Sequence, residues 1–437
     1  MTNAPASAAL TAGALRLAAA TAASGIRSDR PFRDMTYDER LLQLDGYAET
    51  ESGFRASRRV RAMYGDESRR LALAWAYASV GASDARESWA RFWQSVLDPV
   101  WRYVSVANVT NYLSEIGEIE LADGIWIRPR RRNELLELLN WKPEQLDKSI
   151  GDDWMTTGAS EFVLVISTSV AKQPENIVLS NTGEDALLAS RTLMALRLSG
   201  SGDIGQGSLF TTRVGGPPVL LMGLMSMPSL VRFAAGSDFT MTETRARTAK
   251  RIFGQLADLD AQPADTYQEL RSALDRFRAA FDRPWQAYAD RLVDDMIALD
   301  SISVTSTELA YTISVRVSGL LADSDADRVA LFRLLKDFYR VRSIIVHGGR
   351  LGDAATKLLQ REPELRDVVR ATLRGMLNLR ETDDFPPTTK FLSTAIDDLV
   401  LDSGRRGGLR VAMGTLGWRP QVAGPDLGGR TTRMWVD

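Results

Sequence analysis

The chain contains no cysteine and only one histidine, His347, among its 437 residues. Without cysteine it can form no disulfide, no thiolate nucleophile and no cysteine-ligated zinc site, and this composition fits a reducing compartment such as the cytoplasm. With one histidine, a single chain cannot build a multi-histidine metal site, and any histidine chemistry depends on His347. We therefore expect no metal and no other cofactor, and the sequence around His347 becomes the first place to search for function.

Neither sign of charge dominates, since 54 Lys and Arg stand against 56 Asp and Glu and give a net charge of -2. A nucleic-acid-binding surface would have to be a local patch. Long hydrophobic runs are also missing: the most apolar segment, 218–231, is too short to cross a bilayer. The first 24 residues have no continuous apolar stretch of the kind found in secretory signals, because Arg16 interrupts it. The expectation is a cytoplasmic protein without a membrane segment.

The pattern of apolar residues divides the chain into four parts and predicts a mainly α fold. Residues 1–35 resemble a flexible leader, and 36–240 form a helical region followed by a small α+β region. In this part, 36–148 is predicted to be mostly helical, and 162–166, 177–179 and 219–225 are short β-branched runs typical of strands. Residues 241–401 are predicted to form a helical bundle, and 402–437 a Gly- and Arg-rich tail that is extended or poorly ordered.

Helical periodicity in the third part is strong and is interrupted by capping or helix-breaking residues. It predicts helices at 242–259, 264–281, 284–300, 306–321, 325–347, 353–379 and 387–401.

The helix at 325–347 carries an arginine where its packing face calls for an apolar residue. Leu331, Leu334, Leu335, Phe338, Val341 and Ile345 recur at steps of three and four, and Arg342 falls on the same stripe. Burying an unpaired guanidinium costs several kcal/mol, so Arg342 needs a carboxylate, a subunit boundary or an anionic ligand. One interpretation is an ion pair with Asp300 or Asp295 on a neighbouring helix.

His347 comes directly before Gly348 and Gly349, which predict the end of this helix. On an ideal helix it lies roughly 140° around from Arg342, so the two side chains share a face only if the last turn unwinds. An imidazole at this position is also a common helix cap, because its charged form complements the helix dipole. Both roles stay open from the position alone.

Several segments match one known family in order and spacing. The matching residues run from Arg291-Leu292 to Leu299-Asp300, Glu308 to Tyr311, Arg316 to Leu321, Arg328, and Tyr339 to Gly348 with the sequence RSIIVHGG at 342–349. These segments resemble an Apea-like domain of the HEPN superfamily, over about residues 265–400. Residues 192–197, with the Gly-rich turn that follows, are similar to the region preceding the domain in such proteins.

The resemblance implies a metal-independent endoribonuclease with Arg342 and His347 as catalytic residues. Ser343, Tyr339 and Asp300 would support them, although Asp300 stands where the family pattern calls for the longer glutamate. The family's composite dimeric site implies a homodimer formed through the bundle, acting on RNA. Members are often toxins or antiphage effectors, which implies an unidentified trigger or neutralising partner. The alternative is a noncatalytic module that binds RNA, a nucleotide or a protein.

Three weaker patterns remain. Trp126 with the arginines Arg128, Arg130, Arg131 and Arg132 predicts either an RNA contact, in which the indole stacks on a base, or a solvated basic turn before a helix near residue 133. The G-x-G-x-x-G match at 200–205 precedes a strand-like segment, so we interpret it as a turn. The acidic pairs at 152–153, 294–295 and 383–384 are attributed to solvated helix ends.

Overall fold

Helices dominate the described part of the chain. The computed structural model describes residues 100–130, 161–171, 182–214, 237–284, 287–303, 309–382, 396–415 and 418, and these ranges contain ten helices and seven strands. The mainly α class with a small sheet agrees with the expectation. Across the same ranges, none of the helices is both long and apolar enough to span a membrane.

The strands form one antiparallel sheet of five strands in the order β3-β4-β5-β1-β6, and a parallel pair, β2 with β7. β5 confirms the strand predicted at 162–166, and β6 follows the turn at 200–205 as expected. Their bounds are β1 Val100–Thr110, β2 Tyr112–Ser114, β3 Ile119–Ala122, β4 Ile125–Pro129, β5 Phe162–Ala171, β6 Gly205–Val214 and β7 Phe239–Met241.

The helical prediction for 36–148 is wrong where it can be compared, because residues 100–129 form β1 to β4. β1 lies between β5 and β6 in the sheet. It buries Tyr103 and Ala107 on one face and Val106 on the other. Burial on both faces removes the polar-apolar alternation by which a strand is recognised. The hairpin between β3 and β4 turns at Gly124, whose φ is +73°. The strands predicted at 177–179 and 219–225 lie outside the described residues.

The helices predicted between residues 242 and 401 occur in the predicted order with shifted ends, and two further helices lie before and after them in the described ranges. Their bounds are α1 Thr182–Ser199, α2 Glu243–Asp260, α3 Gln268–Asp282, α4 Tyr288–Ser303, α5 Leu309–Leu321, α6 Asp325–Val346, α7 Asp353–Leu359, α8 Glu362–Leu379, α9 Ile396–Leu401 and α10 Ser403–Met413.

Two helical predictions need correction. The single helix expected at 353–379 is two helices, α7 and α8, because Pro363 lies in the first turn of α8 and cannot donate the hydrogen bond that a continuous helix needs. The tail expected to be extended instead forms α10 over residues 403–413. Asp402 starts this helix by accepting the backbone N–H groups of Gly404 and Arg405.

Apolar side chains of the sheet and of the bundle join in one continuous core. α1 packs on α2, β5 and β6, and α8 contacts α1 as well as α3, α4 and α10. α8 buries most of its circumference, from Leu365 to Leu379. It is therefore the central element around which the other helices are arranged.

Candidate functional site

Helix α6 carries the residues singled out from the sequence, and it packs through the predicted face. Ser324 caps its start, where the Oγ atom accepts a hydrogen bond from the backbone N–H of Asp327 at 3.0 Å. Arg342 continues the packing stripe with a side chain that is 21% exposed. Buried on this stripe are Leu331, Leu335, Phe338 and Val341, and half-buried are Leu334 and Ile345.

Two glycines end α6 as predicted and hold His347 at the helix terminus. Gly348 has a φ of +70°, and its N–H donates to the Ile345 carbonyl at 3.1 Å. The Gly349 N–H donates to the Ile344 carbonyl at 2.8 Å, which completes a Schellman motif. The last turn thus stays helical, and the unwinding that would turn the imidazole toward the arginine is not found.

His347 is the C-cap residue of α6 and is exposed. Its backbone N–H donates to the carbonyl of Ser343 at 3.1 Å, while its imidazole has no hydrogen bond or ion pair with any residue that the structure describes. Ser343 is half-buried one residue after Arg342. The imidazole is therefore open to solvent and to a ligand at the end of the bundle.

Arg342 meets Asp300 of α4, one of the two partners that the sequence analysis proposed. The Nη2 atom of Arg342 lies 3.7 Å from Oδ2 of Asp300, and the two side chains are 21% and 19% exposed. The guanidinium also lies over the ring of Tyr339, with Cζ 5.5 Å from the ring centre. Asp300, Tyr339 and Arg342 therefore form one group between α4 and α6.

Burial disfavours the charge of Asp300. It raises the pKa of this carboxyl group to about 6, although the positive charge of Arg342 acts to lower it. Burial, together with the nearby Asp300 carboxylate, also raises the pKa of Tyr339. The site thus contains a carboxyl group that changes its charge near neutral pH beside a permanently charged guanidinium.

The predicted RNA contact around Trp126 lies on the sheet, far along the chain from α6. Trp126 and Arg128 are half-buried on β4, and Trp126 packs against a small apolar group that includes Val163 and Val165. Arg130 is exposed just after the strand. Arg131 and Arg132, like the helix expected near residue 133, lie outside the described residues. The position of Trp126 on a packed strand favours a packing role over a stacking platform.

Sequence reasoning missed a group of five charged residues between the loop after α1 and helices α4 and α8. We call it the buried charge cluster; it consists of Asp203, Arg291, Asp295, Glu362 and Arg366. Arg366 Nη1 lies 2.7 Å from Asp203 Oδ1, and Arg366 also pairs with Glu362. Arg291 Nη2 lies 3.1 Å from Glu362 Oε2 and 3.6 Å from Asp203 Oδ1. The cluster therefore fastens the loop that contains Asp203 onto the bundle.

Three carboxyl groups face two guanidinium groups in the buried charge cluster. Burial raises the pKa of Asp295 well above its ordinary value; Arg366 opposes this shift, and the neighbouring Glu362 adds to it. Burial works against the charge of Arg366, but the three carboxyl groups raise its pKa above the ordinary value. A proton on Asp295 leaves two negative charges against two positive ones, which balances the cluster.

Spacing is the signal that could have located this cluster. Arg291 and Asp295 lie four residues apart on α4, as Glu362 and Arg366 do on α8, and all four sit within otherwise apolar helix faces. Charged residues that repeat at helical steps on two such faces predict that the faces pair. Only Arg342 was recognised by this criterion.

The acidic pair Asp294-Asp295 is not a solvated helix end, contrary to our interpretation. The two residues are 2% and 0% exposed within α4, and Asp294 accepts a hydrogen bond from Nε of Arg283 at 2.8 Å. The pairs at 152–153 and 383–384 lie outside the described residues. Within the described ranges, no three Asp, Glu or His side chains are placed to hold a metal ion.

Comparisons with known proteins leave the family open: no protein-family model, no curated protein and no solved structure matches the chain. The fold itself defines a mainly α protein with a small antiparallel sheet.

Proposed function

We propose that the chain is a metal-independent endoribonuclease of the HEPN type, with Arg342 and His347 as its catalytic residues. The observation that carries the proposal is the end of α6, where a Schellman motif keeps the only histidine exposed five residues beyond a half-buried arginine. Among the residues that the structure describes, the carboxylate partner of Arg342 is the distant Asp300, so its guanidinium can also serve an anionic ligand. The sequence resemblance assigns the same two residues.

The chemistry needs a base, an acid and a cation, and no metal. The base removes the proton from a ribose 2′-OH, and the oxygen attacks the adjacent phosphorus. The guanidinium of Arg342 stabilises the negative phosphorane oxygens, and the acid protonates the departing 5′-oxygen. The products are a 2′,3′-cyclic phosphate and a free 5′-hydroxyl, and His347 is the group in this site suited to proton transfer.

One imidazole cannot easily serve as base and acid in the same step. We propose that two chains join through the bundle so that His347 of each contributes one proton transfer. Val346, which is 51% exposed beside His347, supports such a contact because it offers apolar surface at the end of α6. An enzyme that stays monomeric while it cleaves RNA would contradict the dimer.

We also propose that the nuclease acts as a toxin or antiphage effector in the cytoplasm, restrained by the part of the chain before the bundle until a trigger arrives. The buried charge cluster supports this arrangement. In it, Asp203 of the region before the bundle forms ion pairs with Arg291 of α4 and Arg366 of α8, and α4 is the helix that carries Asp300.

The test is incubation of the purified protein with total RNA and tRNA in EDTA. We expect the parent to cleave and His347→Ala and Arg342→Ala to lose about 100-fold or more of the rate, since general acid-base catalysis and stabilisation of the phosphorane charge each contribute about this much. Arg340→Ala is the matched control, because this exposed arginine of α6 pairs with Asp337 of its own turn. Products should end in 2′,3′-cyclic phosphate.

Equal cleavage by the parent and by both site variants would refute the assignment. RNA binding without cleavage, weakened by the same substitutions, would favour the noncatalytic module.

A further inference from the structure

Arg342 and Asp300 lie too far apart to form a hydrogen bond with each other. Their shortest separation is 3.7 Å, whereas charge-assisted hydrogen bonds between guanidinium and carboxylate are about 2.7–2.9 Å long. The Nε atom of Arg342 and the Oδ1 atom of Asp300 are both buried, and neither has a hydrogen-bond partner in the part of the chain that the structure describes. Nε of Arg342 can therefore still donate a hydrogen bond, and Oδ1 of Asp300 can still accept one.

The same bundle contains another arginine and aspartate that are close enough to form hydrogen bonds. Arg316 of α5 binds Asp397 of α9 through two hydrogen bonds of 2.9 and 2.8 Å. Asp397 is 55% exposed, while Asp300 is 19% exposed. The pair at Arg342 is therefore more open than the pair at Arg316, and its carboxylate, between α4 and α6, is the less exposed of the two.

A phosphate group fits the unused side of Arg342. A guanidinium presents its nitrogens as a planar fork that matches two phosphate oxygens. Because Nε of Arg342 is buried, its two terminal Nη atoms are the donors that a phosphate would meet, and the Tyr339 ring supports one face of this plane. Arg342 is exposed enough for a ligand to reach it. Any phosphate that binds there meets the negative charge of Asp300, which competes for the same guanidinium.

We propose that Asp300 is a positioning residue that competes with phosphate for Arg342, and that RNA binding at Arg342 is accompanied by proton uptake at Asp300. This inference rests on the proposed function, because it takes RNA as the ligand of Arg342. In the free protein Asp300 orients the guanidinium over Tyr339, and in the complex the protonated carboxyl group no longer repels the phosphate.

The charges around Asp300 set the direction of the pH dependence. Within the described ranges, Arg342 and Tyr339 of α6 are the titratable groups that face it, and burial has already raised its pKa to about 6. A bound phosphate adds negative charge and raises this pKa further. RNA affinity is therefore highest below about pH 6, decreases as the pH rises from there to the higher pKa that Asp300 has in the complex, and levels off above it.

The experiment measures binding of a 2′-O-methyl RNA oligonucleotide, which keeps its phosphodiester charges constant and cannot undergo attack by a 2′-OH. All variants are made with His347→Ala, so that the imidazole does not contribute to the pH profile. We expect Asp300→Asn to bind roughly tenfold more tightly than its parent at about pH 7.5, and equally at about pH 5, since one pKa unit corresponds to a factor of ten. Asp300→Glu, whose longer side chain closes the ion pair, should bind more weakly than the parent.

Asp337→Asn is the matched control. It makes the same change of charge on α6 beside Arg340, and it should leave RNA binding unchanged. Arg342→Ala should weaken binding and abolish the effect of Asp300→Asn. In the catalytically active background, Asp300→Asn should lower KM.

The outcomes separate the two proposals. If Arg342→Ala weakens binding but neither Asp300→Asn nor the pH changes it, Asp300 does not compete and the proposed function stands. If Arg342→Ala binds RNA as tightly as the parent, Arg342 is not the phosphate site and both proposals fail. Should Asp300→Asn fold poorly, the pH profile of the parent and the Asp300→Glu variant decide the question.

Discussion

Asp300 holds a negative charge in a place where few groups stabilise it. It is mostly buried in the gap between α4 and α6, and Arg342 is too far away to form a hydrogen bond. A carboxyl group in such surroundings binds its proton more tightly in the folded protein than in the unfolded chain. The residue therefore affects folding as well as ligand binding.

The effect on folding has a definite sign. Because the folded pKa of Asp300 is about 6 and the ordinary value is 3.8, the free energy of unfolding decreases as the pH rises from about 4 through 6. We expect Asp300→Asn to be more stable than the parent by on the order of 2 kcal/mol above about pH 6.5, and equally stable near pH 4. Urea unfolding across this pH range measures the difference, and a difference independent of pH would contradict the prediction.

At the scale of single elements, the end of α6 depends on a backbone conformation that suits glycine. Gly348 has a φ of +70°, yet a Cβ atom there would meet no other atom within 4 Å. Any cost of a side chain at this position thus comes from the backbone alone.

Gly348→Ala should lower the free energy of unfolding by about 1 kcal/mol, because alanine adopts the left-handed conformation at a cost of this size. Gly254→Ala is the matched control: this exposed glycine lies inside α2 with open space around it, and alanine should stabilise the helix by roughly 0.5–1 kcal/mol. Chemical unfolding of both variants tests the opposite signs. Equal effects would mean that the turn after α6 does not require a positive φ.

The elements also differ in how far the sequence predicts them. The helices from α2 to α6 could be located within a few residues, because each has one apolar face and a clear cap or break. β1 could not, since apolar residues on both of its faces, such as Tyr103 and Val106, weaken the polar-apolar alternation of its sequence. α10 was missed because three glycines in its first six residues lower its helix preference. Docking supplies the stability, since Arg410 donates to the carbonyls of Leu321 and Thr415.

At the scale of the whole molecule, the buried charge cluster joins the region before the bundle to the bundle itself. Phe281 strengthens the junction, since the guanidinium of Arg197 lies 4.4 Å from its ring centre and that of Arg366 lies 4.6 Å from it. The sequence placed Arg342 on a helix face and offered Asp300 as one of its possible partners, but it did not indicate which elements would meet at the buried charge cluster. Long-range pairings such as that of Asp203 with Arg366 depend on the assembled fold.

Removing one charge from the buried charge cluster should change the free energy of unfolding by an amount that depends on which charge is removed. Arg366→Met leaves Asp203 and Glu362 insufficiently compensated and should cost about 3–5 kcal/mol of unfolding free energy. Asp295→Asn should be nearly neutral, because the raised pKa of Asp295 favours a protonated group that the amide resembles. The free energies of unfolding from denaturant titrations test both. A large loss in Asp295→Asn would mean that this carboxylate is ionised in the folded protein.

The exposed imidazole at the end of α6 also makes the site directly observable in solution. Since His347 is the only histidine of the chain, its ring protons give a single pair of histidine resonances in a proton spectrum of the unlabelled protein. Addition of RNA, a change of pH or pairing of two chains can each be followed through that one pair. The His347 resonances therefore report on the site without assignment of the remaining residues.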